Sequence, residues 1–438
     1  MPLIIALIGI AILLLLIIAF RLNAFIAFVI VSLIVGLGQG MPLDEVASSI
    51  QNGIGNTLGF LIIILGFGAM LGKLVADSGA AQRITTSLVK LFGIQKVQWA
   101  LVLTGFIVGI PMFYSVGFVI LVPLVFAVAQ TTRLPLLYVG LPMLASLSVT
   151  HGYLPPHPAP SAIAIMFEAD LGLTLIYGVV AAIPAIVLAG PLFSRTLKHI
   201  NPTPPKDIFD LTPVPEHQLP SLLTSIVTAL FPLILIGSSA VVGLMTEEGS
   251  TLHTLSTYWG NPLLAMLLSV LLAIYTLGLK RGKKMDEVMK SIVQAVSGIT
   301  MILLIIGGAG ALKQVLIDSG VSEYIGDMLK GSSLSPLLLA WSIAAAIRVC
   351  VGSATVAGLT TAGIILPVLG TAGVSGELMV LAIGSGSLMF SHVNDSGFWM
   401  FKEYFNLSLK ETLSTWTVME TIVSVTGLIS VLILQTFI

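Results

Sequence analysis

Charge and cysteine are scarce in this 438-residue sequence. Lys, Arg, Asp and Glu together make up 9% of it, against roughly 25% in ordinary soluble domains. The net charge is −1. That excludes the electrostatic footprint of a nucleic-acid binder and a polybasic tail. The single cysteine, Cys350, excludes an internal disulfide and any cysteine-based metal cluster. The first apolar run, Pro2 to Phe20, has no basic segment before it and no small-x-small cleavage site. It is also too long for the apolar core of a signal peptide, so it reads as a retained first span. What the sequence does have is apolar residues: 56% of the chain, with a mean hydropathy of +1.07. This length has room for about ten spans of ~20 residues plus loops. An all-α, multi-pass protein of the lipid bilayer follows.

One stretch breaks the apolar pattern sharply. His151-Gly-Tyr-Leu-Pro-Pro-His-Pro-Ala-Pro160 interrupts a segment running from about Pro135 to Phe167. No helix runs through Pro155, Pro156, Pro158 and Pro160, because each lacks an N–H and several clash with the preceding turn. In lipid, such a break is tolerated only inside protein or beside a water-filled cavity. Broken helices at mid-depth are where secondary transporters hold their substrates.

The chain repeats itself. Leu65–Gly79 resembles Ile306–Gly320, with Asp77 and Asp318 241 positions apart. His151 and His392 share that spacing, and Asp44-Glu45-Val46 lies 242 positions before Asp286-Glu287-Val288. Three matches at nearly one offset indicate a duplicated unit. The polar, proline-rich stretch 201–220 divides residues 1–200 from 221–438 and reads as a cytoplasmic linker between two repeats. The loop at 280–284 carries Lys280, Arg281, Lys283 and Lys284, whereas its mate at 38–43 carries no basic residue. The loop at 80–97 is basic, and its mate at 320–336 is not. Opposite bias at matching loops implies inverted repeats. The expected count is about ten transmembrane helices plus two re-entrant hairpins, at 98–129 and 337–370, with two of the helices broken and both termini outside.

Four special turns thus form two pairs: 109–117 with 351–358, and 151–160 with 392–397. Their polar residues are candidates for function, since polar groups in a membrane are costly. Arg348 lies one turn before Gly352-Ser353-Ala354-Thr355, a turn that opens a new helix. A helix N-terminus and a guanidinium both suit a carboxylate. The substrate-binding candidates are Tyr114, Ser115, His151, His157, Ser161, Arg348, Ser353, Thr355, His392, Asn394 and Ser396. Asp395 is the one carboxylate among the turns; read as unpaired, it is expected to carry or gate a proton, with His151 as companion. Asp77-Ser78-Gly79 and Asp318-Ser319-Gly320 read instead as helix stops, and Lys73 with Asp77 as a local i, i+4 pair. His151 and His157 flank prolines rather than share a helix face, and no nearby Cys or carboxylate completes a metal set. Neither a metal nor a cofactor is expected. A membrane enzyme would have to rest on His151 with Thr150, which lacks an orienting carboxylate nearby in sequence. A passive anion channel would need an open polar path.

Several stretches carry a family resemblance: Gly66-Phe-Gly-Ala-Met-Leu-Gly72, Pro135-Leu-Leu-Tyr-Val-Gly140, Ser148-Val-Thr-His-Gly-Tyr-Leu-Pro-Pro-His-Pro158, Gly352-Ser-Ala-Thr-Val-Ala357, Ser391-His-Val-Asn-Asp395, Gly397-Phe-Trp399 and Phe401–Leu407. In these, over essentially its full length, the chain resembles the gluconate permease (Gnt) family of bacterial sugar-acid/proton symporters, grouped with the ion-transporter superfamily. The resemblance implies import of gluconate, or of another small hydroxy or amino acid such as D-serine or glycerate, across the bacterial inner membrane. It also implies an elevator-type homodimer. One departure stands out: the familiar gluconate permeases carry a glutamate where this chain has Ser115, which puts the route of proton coupling in question.

Overall fold

The computed structural model describes residues 2–200, 202, 214–247, 249–321, 335–369, 373–393 and 395–438, and every regular element among them is helical. The first half runs α1 (Pro2–Ile18), α2 (Ala24–Gly38), α3 (Leu43–Asp77), α4 (Ala80–Phe92), α5 (Val97–Gly109), α6 (Tyr114–Thr132), α7 (Leu136–Tyr153), α8 (Pro158–Met166), α9 (Leu171–Val187) and α10 (Phe193–Thr196). The second runs α11 (Leu222–Met245), α12 (Thr251–Gly260), α13 (Pro262–Ala273), α14 (Met285–Asp318), α15 (Pro336–Val351), α16 (Ala354–Leu369), α17 (Gly376–Gly386), α18 (Ser396–Tyr404), α19 (Leu409–Thr412) and α20 (Val418–Leu434). A single wide π turn joins α9 to α10, and another joins α19 to α20. Among the described residues, six helices are long and apolar enough to cross a membrane, or eight if two sharply bent pairs count as spans. Five shorter apolar helices of 10–17 residues accompany them.

The elements recur in order across the two halves. α3 matches α14, and the pair α5–α6 matches α15–α16. The broken pair α7–α8 matches α17–α18. Packing recurs too: α5 lies on α7 as α15 lies on α17, and α2 lies on α14 as α13 lies on α3. The stops behave as read from the sequence. α3 ends at Asp77, two residues before Gly79 at φ 76°, and α14 ends at Asp318, two before Gly320 at φ 75°. Lys73 pairs with Asp77 at 2.8 Å.

α3 and α14 run antiparallel. Ser49, near the start of α3, donates to Asp318 at the end of α14 (2.6 Å). At the other end, Lys283 donates to the Asp77 carbonyl at 3.4 Å. Between these points the backbones nearly touch: a Cβ on Gly53 would stand 2.4 Å from the Gly310 oxygen. Small residues that let helix backbones approach are the usual glue of membrane helices. The described part of the linker lies at the Lys283 end. Gln82 donates to the Val214 carbonyl at 2.9 Å and Arg83 to the Pro220 carbonyl at 2.8 Å.

α7 is the centre of the molecule. Apart from Tyr138 and His151, every residue in it is buried. Its mate α17 is buried from Leu378 to Gly386. Protein, not lipid, therefore surrounds both helices that end in irregular backbone, as the membrane requires.

Candidate functional site

The hairpin turns and the helix breaks meet around one cavity of about 260 Å³. α6 contributes Tyr114 and Ser115 from its first turn, and α7 contributes Ser148 and His151. α15 contributes Arg348; the following turn and α16 contribute Gly352, Ser353 and Thr355. Asp395, Ser396 and Gly397 come from the start of α18, and Trp416 and Glu420 from the last span. The N-termini of α6, α16 and α18 thus converge, each presenting unpaired N–H groups and a positive dipole end to an anion.

Local sequence explains these positions. Gly352 ends α15 at φ 77°, a conformation that costs glycine little, and its N–H donates to the Arg348 carbonyl at 2.9 Å. The chain can then reverse into α16 within two residues, leaving Arg348 on the inner face. Asp395 caps α18 by accepting from the Gly397 N–H at 2.8 Å.

Arg348 is 3% exposed. Its Nη2 makes a close ion pair with Asp395, whose same oxygen also accepts from the Ser391 hydroxyl. The unpaired carboxylate expected at 395 is therefore not what the structure shows: an arginine, a serine and a backbone N–H all donate to it. Ser391 is itself held by the Trp416 indole N–H at 2.8 Å. Arg348 Nε and Nη1, Tyr114 Oη and Glu420 Oε2 are buried with no hydrogen-bond partner among the described residues, and all three residues line the cavity.

The histidines divide. His157 Nε2 lies 2.9 Å from the Gly109 carbonyl, which can only accept, so this nitrogen carries the proton. With both rings neutral, His157 Nδ1 is then bare and accepts from His151 Nδ1–H at 3.3 Å. His151, at the cavity wall, keeps a bare Nε2 as an acceptor. His157 is buried behind it and orients it without lining the cavity. His392 turns away, its Nε2 3.0 Å from the Val349 carbonyl. Ser161 is buried on α8 outside the cavity wall. Asn394 lies outside the described residues. The structure thus brings Tyr114, Ser115, His151, Arg348, Ser353, Thr355, Asp395 and Ser396 together and leaves His157, Ser161 and His392 apart. Thr150 donates to the Leu147 carbonyl at 2.9 Å, so it forms no pair with His151.

Three polar side chains of the cavity wall were not among the candidates: Ser148, Trp416 and Glu420. The signal for Glu420 was present, an acidic residue within an apolar run.

Buried broken helices closing with paired helical turns on an anion-suited cavity define a multi-pass membrane transporter. Comparison with known proteins makes this specific: the chain belongs to the GntP family permeases, whose family model matches residues 1–438. It is 53% identical over 435 residues to the high-affinity gluconate transporter of Escherichia coli (strain K12), covering 99% of both chains. It is 51% identical over 432 residues to the Gnt-II system L-idonate transporter of the same organism, covering 99% of this chain and 98% of that one. The gluconate permease of Bacillus subtilis (strain 168) is 48% identical over 451 residues, with 99% of each covered. These relatives are transporters and permeases, not enzymes. The fold resembles the Alcanivorax borkumensis YdaH transporter (TM-score 0.68, 17% identity, 94% of this chain and 97% of that one). It also resembles Neisseria gonorrhoeae MtrF (TM-score 0.69, 15% identity, 94% of each).

Proposed function

We propose that this permease imports gluconate, or a closely related sugar acid such as L-idonate, together with protons across the bacterial inner membrane. The observation that carries this reading is Arg348. It is buried at the cavity wall with Nε and Nη1 unpartnered, and three helix N-termini point at the same space. A substrate carboxylate takes one of the free guanidinium donors, and the substrate hydroxyls meet Tyr114, Ser115, His151, Ser353, Thr355 and Ser396. Asp395, already bound to Nη2, orients the guanidinium and competes with the substrate for it, which makes it a gate. The names of the relatives support gluconate and idonate as substrates.

In this proposal residues 1–200 and 221–438 are inverted repeats, as the antiparallel α3 and α14 support. The basic segments at 80–97 and 280–284 and the linker lie in the cytoplasm, and both termini lie outside. The hairpins and broken helices move as one body, elevator fashion, within a homodimer. The test is uptake into proteoliposomes. An inward proton gradient is expected to drive gluconate above its outside concentration, with saturation and counterflow. Unsaturable flux without counterflow would identify a channel instead. Saturable uptake that ignores the gradient would remove the proton from the reading.

A further inference from the structure

We infer that Glu420, hydrogen-bonded to Ser148, is the group that carries the proton accompanying the substrate anion. This rests on the proton-symport reading above and names the atom on which it depends. Glu420 is 2% exposed on α20, in the interior of the last span. Ser148 on α7 donates to its Oε1 at 2.7 Å. Its Oε2 is buried, has no hydrogen-bond partner among the described residues, and belongs to a residue lining the substrate cavity. The Ser148 contact persists whether the carboxyl is ionised or protonated, so the side chain keeps its place through the change.

Charge counting gives the direction of coupling. Glu420 is faced by Arg348 from α15, by Asp395 from the start of α18, by Tyr114 from α6 and by Tyr153 from α7. His151 lines the same cavity from α7. Among the described residues Arg348 is the only cation in the cavity wall, and its charge is already matched by Asp395. With Glu420 ionised, an arriving anion would be the third negative charge beside one positive. Like charges in a dry site repel far more strongly than in water. A proton taken onto Oε2 from the outer aqueous side removes one negative charge and turns a repelling acceptor into a donor toward the substrate. The anion and the proton therefore each favour the other's binding, which is the thermodynamic content of symport. After inward exposure the anion leaves, and the proton departs from Oε2 into the cytoplasm.

Asp395 is the weaker candidate on geometry. It accepts from Arg348, Ser391 and the Gly397 N–H, so a proton on it weakens the pair with the buried guanidinium. Glu420 has one oxygen open.

The experiment measures proton uptake on gluconate binding to the purified protein, by calorimetry in buffers of different ionisation enthalpy and by the pH dependence of affinity. Wild type is expected to take up about one proton per gluconate, with affinity falling by up to about tenfold per pH unit above the titration midpoint. Glu420→Gln is expected to bind gluconate with no proton uptake and a flat pH profile. In proteoliposomes it should lose gradient-driven accumulation while exchange stays measurable. Asp395→Asn is expected to keep the proton uptake. Wild-type proton uptake in Glu420→Gln overturns the assignment, whether or not Asp395→Asn has lost it. Absence of proton uptake in wild type overturns the assignment and symport together, so the two failures are distinguishable. If Glu420→Gln does not fold, Ser148→Ala serves: it is expected to move the pH midpoint of gluconate affinity, and an unmoved midpoint counts against Glu420.

Discussion

Arg348 joins two demands that usually conflict: a charge held away from water and donors left open for a ligand. Its ion pair with Asp395 resolves the first, because breaking a buried pair by removing one partner costs about 3–5 kcal/mol. The unpartnered Nε and Nη1 provide the second. Arg348→Leu is therefore expected to abolish uptake and lower stability. Arg348→Lys keeps the charge but loses the planar fork. At roughly 1.5–3 kcal/mol for hydrogen bonds to a charged group, it should weaken gluconate affinity by about ten- to a hundredfold. Lys73, paired with Asp77 and with its side chain 31% exposed, belongs to the weak surface class. Lys73→Leu should change uptake by less than about twofold. Initial uptake rates normalised to expression decide this; equal loss in Arg348→Leu and Lys73→Leu would remove the special role of Arg348. These residues were legible in the sequence because polar groups at a break in an apolar run advertise themselves. Glu420 sits within the last span and Ser148 within α7 before its break, and only the packing of α7 against α20 turns them onto one cavity. The pairing of Asp395 was illegible for the same reason, since Arg348 is 47 residues away in the chain. His392 shows the opposite error: the repeat made it the mate of His151, but equivalent backbone positions do not give side chains equivalent surroundings.

At the scale of elements, the breaks at 151–160 and 392–397, the turns at 109–117 and 351–358, and the helix stops at Gly79 and Gly320 all followed from proline, glycine and hydropathy. What did not follow was which helix touches which. The crossing of α3 and α14 depends on Gly53 meeting Gly310, two glycines that are not repeat mates and carry no signal of contact. A methyl at Gly53 collides with the Gly310 oxygen, and the Gln314 Cβ stands only 2.8 Å away. Neither can yield without moving a backbone. At Gly55, two residues along, nothing lies within 4 Å. Gly53→Ala is expected to destabilise by about 1–3 kcal/mol, the usual cost of overpacking. Gly55→Ala should be neutral or slightly stabilising, because alanine favours helix by roughly 1 kcal/mol over glycine. Thermal unfolding in detergent separates them; equal melting temperatures would mean that the crossing is looser than its geometry indicates.

Across the whole molecule, the question is how two similar halves build one asymmetric path. If the halves ran parallel, matching loops would face the same side and the basic segments would be split between both sides of the membrane. The structure instead gathers them: Lys283 reaches the end of α3, and Arg83 holds the linker at that same end. In the proposed orientation basic loops remain in the cytoplasm, which puts this end inside and the Ser49–Asp318 end outside. Leu43 and Met285 are matched positions at the starts of α3 and α14, both exposed at 62% and 48%. Inversion therefore places Leu43 at the outer surface and Met285 at the inner one. With the native thiol removed as Cys350→Ser, a membrane-impermeant thiol reagent applied to intact cells is expected to label Leu43→Cys readily. Met285→Cys should react only after the membrane is opened. If both react in intact cells, or neither does, the halves share one orientation. The single cavity would then have to arise without the two-fold relation that pairs α7–α8 with α17–α18.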